Sequence, residues 1–161
     1  MRLTFFFILA FGISPLSQRA TAQPPTDLTG FWEDARTHGS AGRGDVYILR
    51  GDHTFEFVYS EYQWAGRRIV SFSGRYRIAG DSIYFTILQT EELMGGHIEW
   101  DGPPLDLGWI VEGAQTRHVK QKHAQQNALS LFVEFKDAHE YMDIGRHRFI
   151  LVDRNPDTYN Q

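Results

Sequence analysis

The sequence predicts an all-β protein, an eight-stranded up-and-down antiparallel barrel. Three observations predict it. Apolar and polar residues alternate through most of the chain, as where Phe55, Phe57 and Tyr59 oppose Thr54, Glu56 and Ser60; that period of two marks strands with one buried face. Turn residues recur between these runs, at Gly51-Asp52 and Ala79-Gly80-Asp81, where Gly and Asp suit tight reversals. No long crossover separates successive strands, so each can pair with the next and the sheet can close on itself. A two-sheet sandwich is the alternative that the same pattern allows.

Residues 1–22 are set apart from the fold. Arg2 is followed by an apolar run from Leu3 to Ile13, then by Ala20-Thr21-Ala22 before Gln23. A positive start, a short apolar core and a small-x-small site describe a cleaved secretory signal. The run is shorter than the roughly 20 residues a spanning helix needs, and an uncleaved anchor is the minor alternative. The expectation is an exported protein, periplasmic or secreted, with one barrel domain over residues 23–161. There are no cysteines, so the domain is held by its core without disulfides. Removing Arg2 and Arg19 with the signal takes the balance from 16 basic against 20 acidic residues to 14 against 20, a net charge of −6. That sign argues against nucleic acid as a partner. After Ile13 no apolar run approaches spanning length, so no membrane span is expected in the mature chain.

In chain order, the first strand is Gly30 to Glu33, where Gly30 permits a close backbone approach and Trp32 offers a large apolar body. Val46 to Leu49 is a short apolar run between Gly-Asp pairs. Thr54 to Ser60 and Arg68 to Ile78 alternate cleanly. Ser82 to Gln89 follows the Ala79–Asp81 turn with Ile83, Phe85 and Ile87 in phase. Leu107 to Gly113, Asn127 to Phe135 and Arg146 to Val152 complete the eight. Arg117 to Ala128 is the one segment with room for a short helix. Numbering the strands gives the barrel a polarity. Four long connections, 35–45, 61–67, 90–106 and 136–145, fall at one end. The tight turns 50–53 and 79–81 fall at the other. Long loops gathered at one end of a rigid scaffold mark a mouth.

With Gly30-Phe31-Trp32 on the first strand, eight short strands and this asymmetry, the chain resembles the lipocalin-like (calycin) barrels of exported bacterial proteins. In that family an arginine just after the last strand packs over the tryptophan at the closed end. Here the last strand runs into Phe149-Ile150-Leu151-Val152-Asp153-Arg154, so the resemblance implies a cation–π contact between Arg154 and Trp32. Gly30, Trp32 and Arg154 are the expected closed end. The family's Thr-Asp-Tyr signature is absent, since residues 121–127 read QKHAQQN, and no long helical segment follows the last strand. Leu28-Thr29-Gly30 and Leu107-Gly108-Trp109 are faintly similar to the avidin barrels, but no polar set for biotin falls on the inner faces.

The inner face is expected to be apolar and aromatic. Phe55, Phe57, Tyr59, Phe72, Tyr76, Phe85, Trp109, Leu131 and Val133 are the candidate ligand-binding residues, with Val46, Ile48, Ile78, Ile83, Ile87, Val111, Leu129, Phe149 and Leu151 beside them. The carboxylates Glu33, Glu56, Glu112 and Glu134 fall on the opposite face, so none is placed in a desolvated cleft for acid–base work. No nucleophile elbow or phosphate loop appears. His97 and Glu99, two apart on an extended segment, share a face and are a possible metal pair; scattered surface histidines are the simpler account, and no catalytic residue, metal or cofactor is assigned. The expected function is binding or carriage of a small hydrophobic molecule inside the barrel. The alternative is a solid-core barrel that binds a protein or cell-envelope component through its long loops. A third reading is an enzyme using the mouth-loop histidines His38, His97 and His139. An eight-stranded barrel permits a filled or an open interior.

Overall fold

The computed structural model describes residues 27–39, 44–60, 63–64, 67–100 and 109–160, without the side chains of residues 100, 109, 110 and 160. The segment read as a secretory signal lies outside the described residues.

Eight antiparallel strands join in sequence order into one closed, barrel-like sheet. They are β1 (Gly30–Asp34), β2 (Val46–Leu49), β3 (Thr54–Val58), β4 (Ile69–Ala79), β5 (Ser82–Trp100), β6 (Trp109–Lys136), β7 (His139–Ile144) and β8 (His147–Asp153), followed by a short 3-10 helix, Pro156–Asn160. The rings and aliphatic chains of alternate residues meet inside, from Trp32 and Leu49 to Phe85, Met142 and Phe149.

The strand count agrees with the sequence expectation, but two strands differ. Of the segments expected at 107–113 and 127–135, residues 109–113 and 127–135 are parts of one strand, β6, which also takes in the stretch 117–128 expected to have room for a helix; residues 107 and 108 lie outside the described residues. This stretch is exposed on both faces over residues 115–118 and 120–130. It is held by backbone pairing to β5 rather than by burial, so it carries no period. The eighth strand comes instead from β7, which occupies the expected loop 136–145. Met142 and Ile144 are buried there. The turn before β7 is Asp137-Ala138, with φ of 51° and 65°. Two-residue hairpin turns with positive φ normally advertise themselves by glycine, and this one does not.

A third difference concerns phase. Trp32 points inward and sits opposite Tyr47, and Gly30 opposite Leu49. Facing residues share a side of the sheet, so Tyr47 and Leu49 line the interior. Val46 and Ile48, expected inside, pack outside with Phe31. Tyr159 of the 3-10 helix covers them, its ring centroid 5.5 Å from that of Phe31.

At the closed end, Trp32 is wholly buried and its Nε1 donates to the Leu28 carbonyl at 2.9 Å. Gly30, at φ 149°, lies where a Cβ would come within 2.7 Å of the Asp153 carbonyl oxygen, so β8 can approach only because the side chain is missing. The Arg154 guanidinium lies 5.9 Å from the Trp32 ring centroid. It donates to the Thr29 carbonyl at 3.1 Å and pairs with Glu140.

The opposite end is the mouth. The connections 35–45 and 59–68 lie there, but the β7–β8 connection is a two-residue turn at Gly145-Arg146, not a long loop. Between β5 and β6 the mouth carries a two-stranded ribbon rather than a loop. β5 loses β4 after Glu92, and Leu93 to Trp100 continue paired only with β6, for roughly 27 Å at about 3.4 Å per residue.

Candidate functional site

Three irregularities shape the mouth. On β4, Val70 is one residue extra between the pairs Ile69↔Glu92 and Ser71↔Glu91. On β5, Leu88 is one residue extra: Gly74 pairs with Ile87, but Ser73 pairs with Gln89. A bulge of this kind reverses which side chains face inward. Ile87 is inside before it, and after it Thr90, opposite Phe72, is inside and buried. On β6, the four residues Gln121 to Ala124 stand against Leu88 alone, between the pairs Ile87↔Gln125 and Gln89↔Lys120. Gln121 donates from Nε2 to the Thr90 hydroxyl at 3.2 Å.

Between these bulges and the β3–β4 connection lies a cleft of about 340 Å3, open to solvent and lined by Tyr59, Arg67, Arg68, Ile69, Phe72, Ile87, Thr90 and Gln125. Its floor is Phe72, which stacks on Phe57 at 4.8 Å. Below, Phe57 meets Tyr47 at 4.6 Å, Tyr47 meets Phe85 at 5.4 Å, and Phe85 meets Phe55 at 4.6 Å. These aromatic residues therefore pack against one another in a continuous column below the cleft.

This divides the expected lining. Tyr59 and Phe72 line the cleft. Phe55, Phe57, Tyr76, Phe85 and Leu131 belong to the buried core, with Val133 half-buried against it. Leu129, expected inside, is 37% exposed. Trp109 pairs with Trp100 at the far end of the ribbon, and its side chain lies outside the described residues. The residues that sequence reasoning missed are Arg67, Arg68, Ile69, Thr90 and Gln125. Arg67 was assigned to a loop margin, and Arg68 and Ile69 to the strand after it, where an extra residue at Val70 returns Ile69 to the inner phase. Thr90 reaches the site only through the β5 bulge, for which an isolated Thr gives no signal. Gln125 stands opposite Ile87 in the regular register of β6 and was missed because its stretch reads as room for a short helix.

The electrostatics separate a neutral interior from a charged rim. Burial pushes the Tyr47 hydroxyl far above the ordinary tyrosine range, and burial likewise raises Tyr76, whose hydroxyl donates to the Arg50 carbonyl at 3.1 Å. The interior is thus uncharged at physiological pH. At the rim, Glu92 accepts from Arg68 at 3.2 Å and from Arg117 at 3.1 Å. Arg67 lies with its Cζ 4.0 Å from the Tyr59 ring centroid.

At the mouth end of β1, two successive carboxylates are held by residues of the chain that follows. Glu33 accepts from the Gly44 amide at 3.1 Å and meets His38 Nδ1 at 2.8 Å. Asp34 is buried and pairs with Arg36 at 2.6 Å. Burial raises the Asp34 carboxyl, but the side-chain and backbone hydrogen bonds from Arg36 and its charge outweigh burial, so the carboxyl titrates below the ordinary range. A depressed folded-state value stabilises above the unfolded value of about 3.9 and is lost as pH falls through the folded one. Asp34→Asn is therefore expected to cost about 1–2 kcal/mol at pH 7. The gap from wild type should shrink as pH falls below about 4. Urea melts at pH 7, 4 and 3 measure it, and a gap independent of pH would mean the charge is not what stabilises.

The histidines do not converge. His38 is tied to Glu33, while His97 pairs with Glu99 on the ribbon. Glu112 stands opposite His97, and donor atoms of His97, Glu99 and Glu112 lie within 4.8 Å of one another, all three residues exposed. His97 and Glu99 contact each other directly, with the Glu112 carboxylate beside them.

No protein-family model, curated protein or solved structure matches this chain. The closed sheet and the mouth cleft therefore carry the functional reading by themselves.

Proposed function

We propose that the protein is an exported, lipocalin-like binding protein that takes a small hydrophobic molecule at the mouth of its barrel. One observation carries the reading: the cleft of about 340 Å3 with Ile69, Phe72, Ile87 and Tyr59 in its wall. An apolar cleft of that size with a few polar groups suits a small ligand, and burial of apolar surface at about 25 cal/mol per Å2 would drive binding. The lipocalin-like assignment is supported by closure in sequence order and by Arg154 beside Trp32. Export is supported by the charged, apolar and small-residue order of residues 1–22. The ligand rests on the aromatic column rather than within it, which places the site nearer to solvent than the sequence implies.

The test is titration with the neutral fluorescent probe N-phenyl-1-naphthylamine. Wild type is expected to bind one equivalent. Ile69→Trp, which fills the cleft from a rim position already 39% exposed, is expected to weaken binding at least tenfold at unchanged melting temperature. Undiminished binding by Ile69→Trp would place the probe elsewhere and sink the proposal. The second reading, a docking module, is favoured by the ribbon, where Met94 and Ile98 are 44% and 54% exposed. A protein that binds no apolar probe but loses a partner on removal of residues 93–116 would favour it.

A further inference from the structure

We infer that the molecule held in the mouth cleft carries an oxyanion, and that Arg67 receives it. The inference rests on the cleft being the ligand site and adds the chemical class of the ligand: a compact apolar body ending in a carboxylate or a phosphate ester.

Arg67 is held in place before any ligand arrives. Its backbone amide donates to the Trp64 carbonyl at 2.9 Å. Its Nε donates to Gln63 Oε1 at 3.1 Å, and its guanidinium lies against the Tyr59 ring. Gln63 is fixed in turn, since its Nε2 donates to Asp45 at 2.7 Å. These contacts use the Nε position and one face of the guanidinium. Among the described residues, no ion pair joins a carboxylate to Arg67, Arg75, Arg77 or Arg146, whereas Arg36, Arg50, Arg68, Arg117 and Arg154 each have one and Arg148 has two; of the four unpaired, only Arg67 lines the cleft. The pair of terminal nitrogens is left as a fork, the geometry that matches two oxygens of a carboxylate or phosphate. Stacking and the Gln63 bond fix the fork's direction, so less side-chain freedom is lost when an anion binds.

The surroundings have the same sign. Arg68, also in the cleft wall, shares Glu92 with Arg117, so that carboxylate answers two guanidiniums. Glu91 accepts from the Ser71 hydroxyl at 3.0 Å and is not part of the cleft wall. Among the described residues the cleft wall holds two arginines and no carboxylate, in a chain whose formal net charge is −4. Phe72, Ile69 and Ile87 supply the apolar part of the lining. A cleft lined by both guanidiniums and apolar side chains selects an amphipathic anion. Its volume, at the low end of the ~300–1,000 Å3 usual for ligand sites, favours one chain or ring over a two-chain lipid.

Isothermal titration of the full chain with decanoate, decyl phosphate and 1-decanol tests the inference. Both anions are expected to bind at least tenfold more tightly than the alcohol, and the decanoate-to-phosphate ratio identifies which oxyanion is preferred. Arg67→Gln should reduce the anion-over-alcohol preference to less than threefold, Arg67→Lys should keep part of it, and Arg68→Gln should reduce it less than Arg67→Gln does. Melting temperatures establish that the variants fold. Equal affinity for alcohol and anions overturns the oxyanion while leaving the binding reading intact. A preference that survives Arg67→Gln, or that falls more with Arg68→Gln, overturns the role of Arg67. Binding of none of the three overturns both this inference and the proposed function.

Discussion

Trp32→Ala is expected to destabilise the protein by ~3–5 kcal/mol, the range for deleting a fully buried aromatic side chain. The magnitude follows from its position. Trp32 is 0% exposed, its ring belongs to the main core cluster, and its Nε1–H bond to Leu28 fixes the chain entering β1. Arg154→Ala is expected to cost less, about 1 kcal/mol, because the guanidinium is half exposed and its ion pair is screened. The two effects should not add. Arg154 covers the Trp32 ring and ties the Thr29 carbonyl beside it, and neighbours that share partners couple by about 0.5 kcal/mol or more. Urea melts of both single variants and the double variant measure this. Strict additivity would show that ring and guanidinium do not act together.

The second large effect is expected at Gly74. A Cβ there would stand 1.9 Å from the Thr86 carbonyl oxygen and 3.1 Å from the Leu88 nitrogen. Both are backbone atoms at the β5 bulge, so no rotamer change relieves the clash and one strand must move. Overpacking of this kind costs about 1–3 kcal/mol or more, and Gly74→Ala is expected at the upper end. The displaced bulge should also turn Thr90 from the inner face, weakening probe binding in the same variant. Gly80→Ala, where a Cβ meets nothing within 4 Å but φ is 61°, separates crowding from backbone strain. A cost at Gly74 no larger than at Gly80 would mean that the two strands are not pressed together there.

The closed end was legible because its parts are chemically distinctive. A glycine two residues before a tryptophan, and an arginine just beyond the last strand, each perform a task few residues perform. The cleft was legible only in part. Tyr59 directly follows β3 and Phe72 lies on β4, where the period of two holds up to the site. Thr90 lies beyond the β5 bulge, where one extra residue reverses the phase and period counting fails. Gln125 keeps the phase of Asn127 and Leu129, but a polar side chain at an inner position gives no apolar mark to count. The long strand β6 was lost for another reason: alternation records burial, and backbone pairing without burial leaves no trace in hydropathy. β7 was lost because Ala138 takes a positive φ in place of a glycine. The sequence also could not say that the aromatic residues would fill the barrel, since the same side chains can coat a cavity or pack face to face.

The polar run of β6 has a meaning of its own. From Trp109 to Ser130 the strand has β5 on one side and, among the described residues, no strand on the other. Unpaired amides and carbonyls along such an edge are a template on which another chain can add. Arg117, His118, Lys120, Lys122 and His123 stand along that edge, all exposed, and the four-residue bulge interrupts it midway. Lys120 and Lys122 on this bent border repel the border of a second copy, and the bulge denies it a straight ladder. The stretch that reads as featureless is thus the part of the sequence that opposes aggregation, letting the ribbon extend into solvent without recruiting its neighbours.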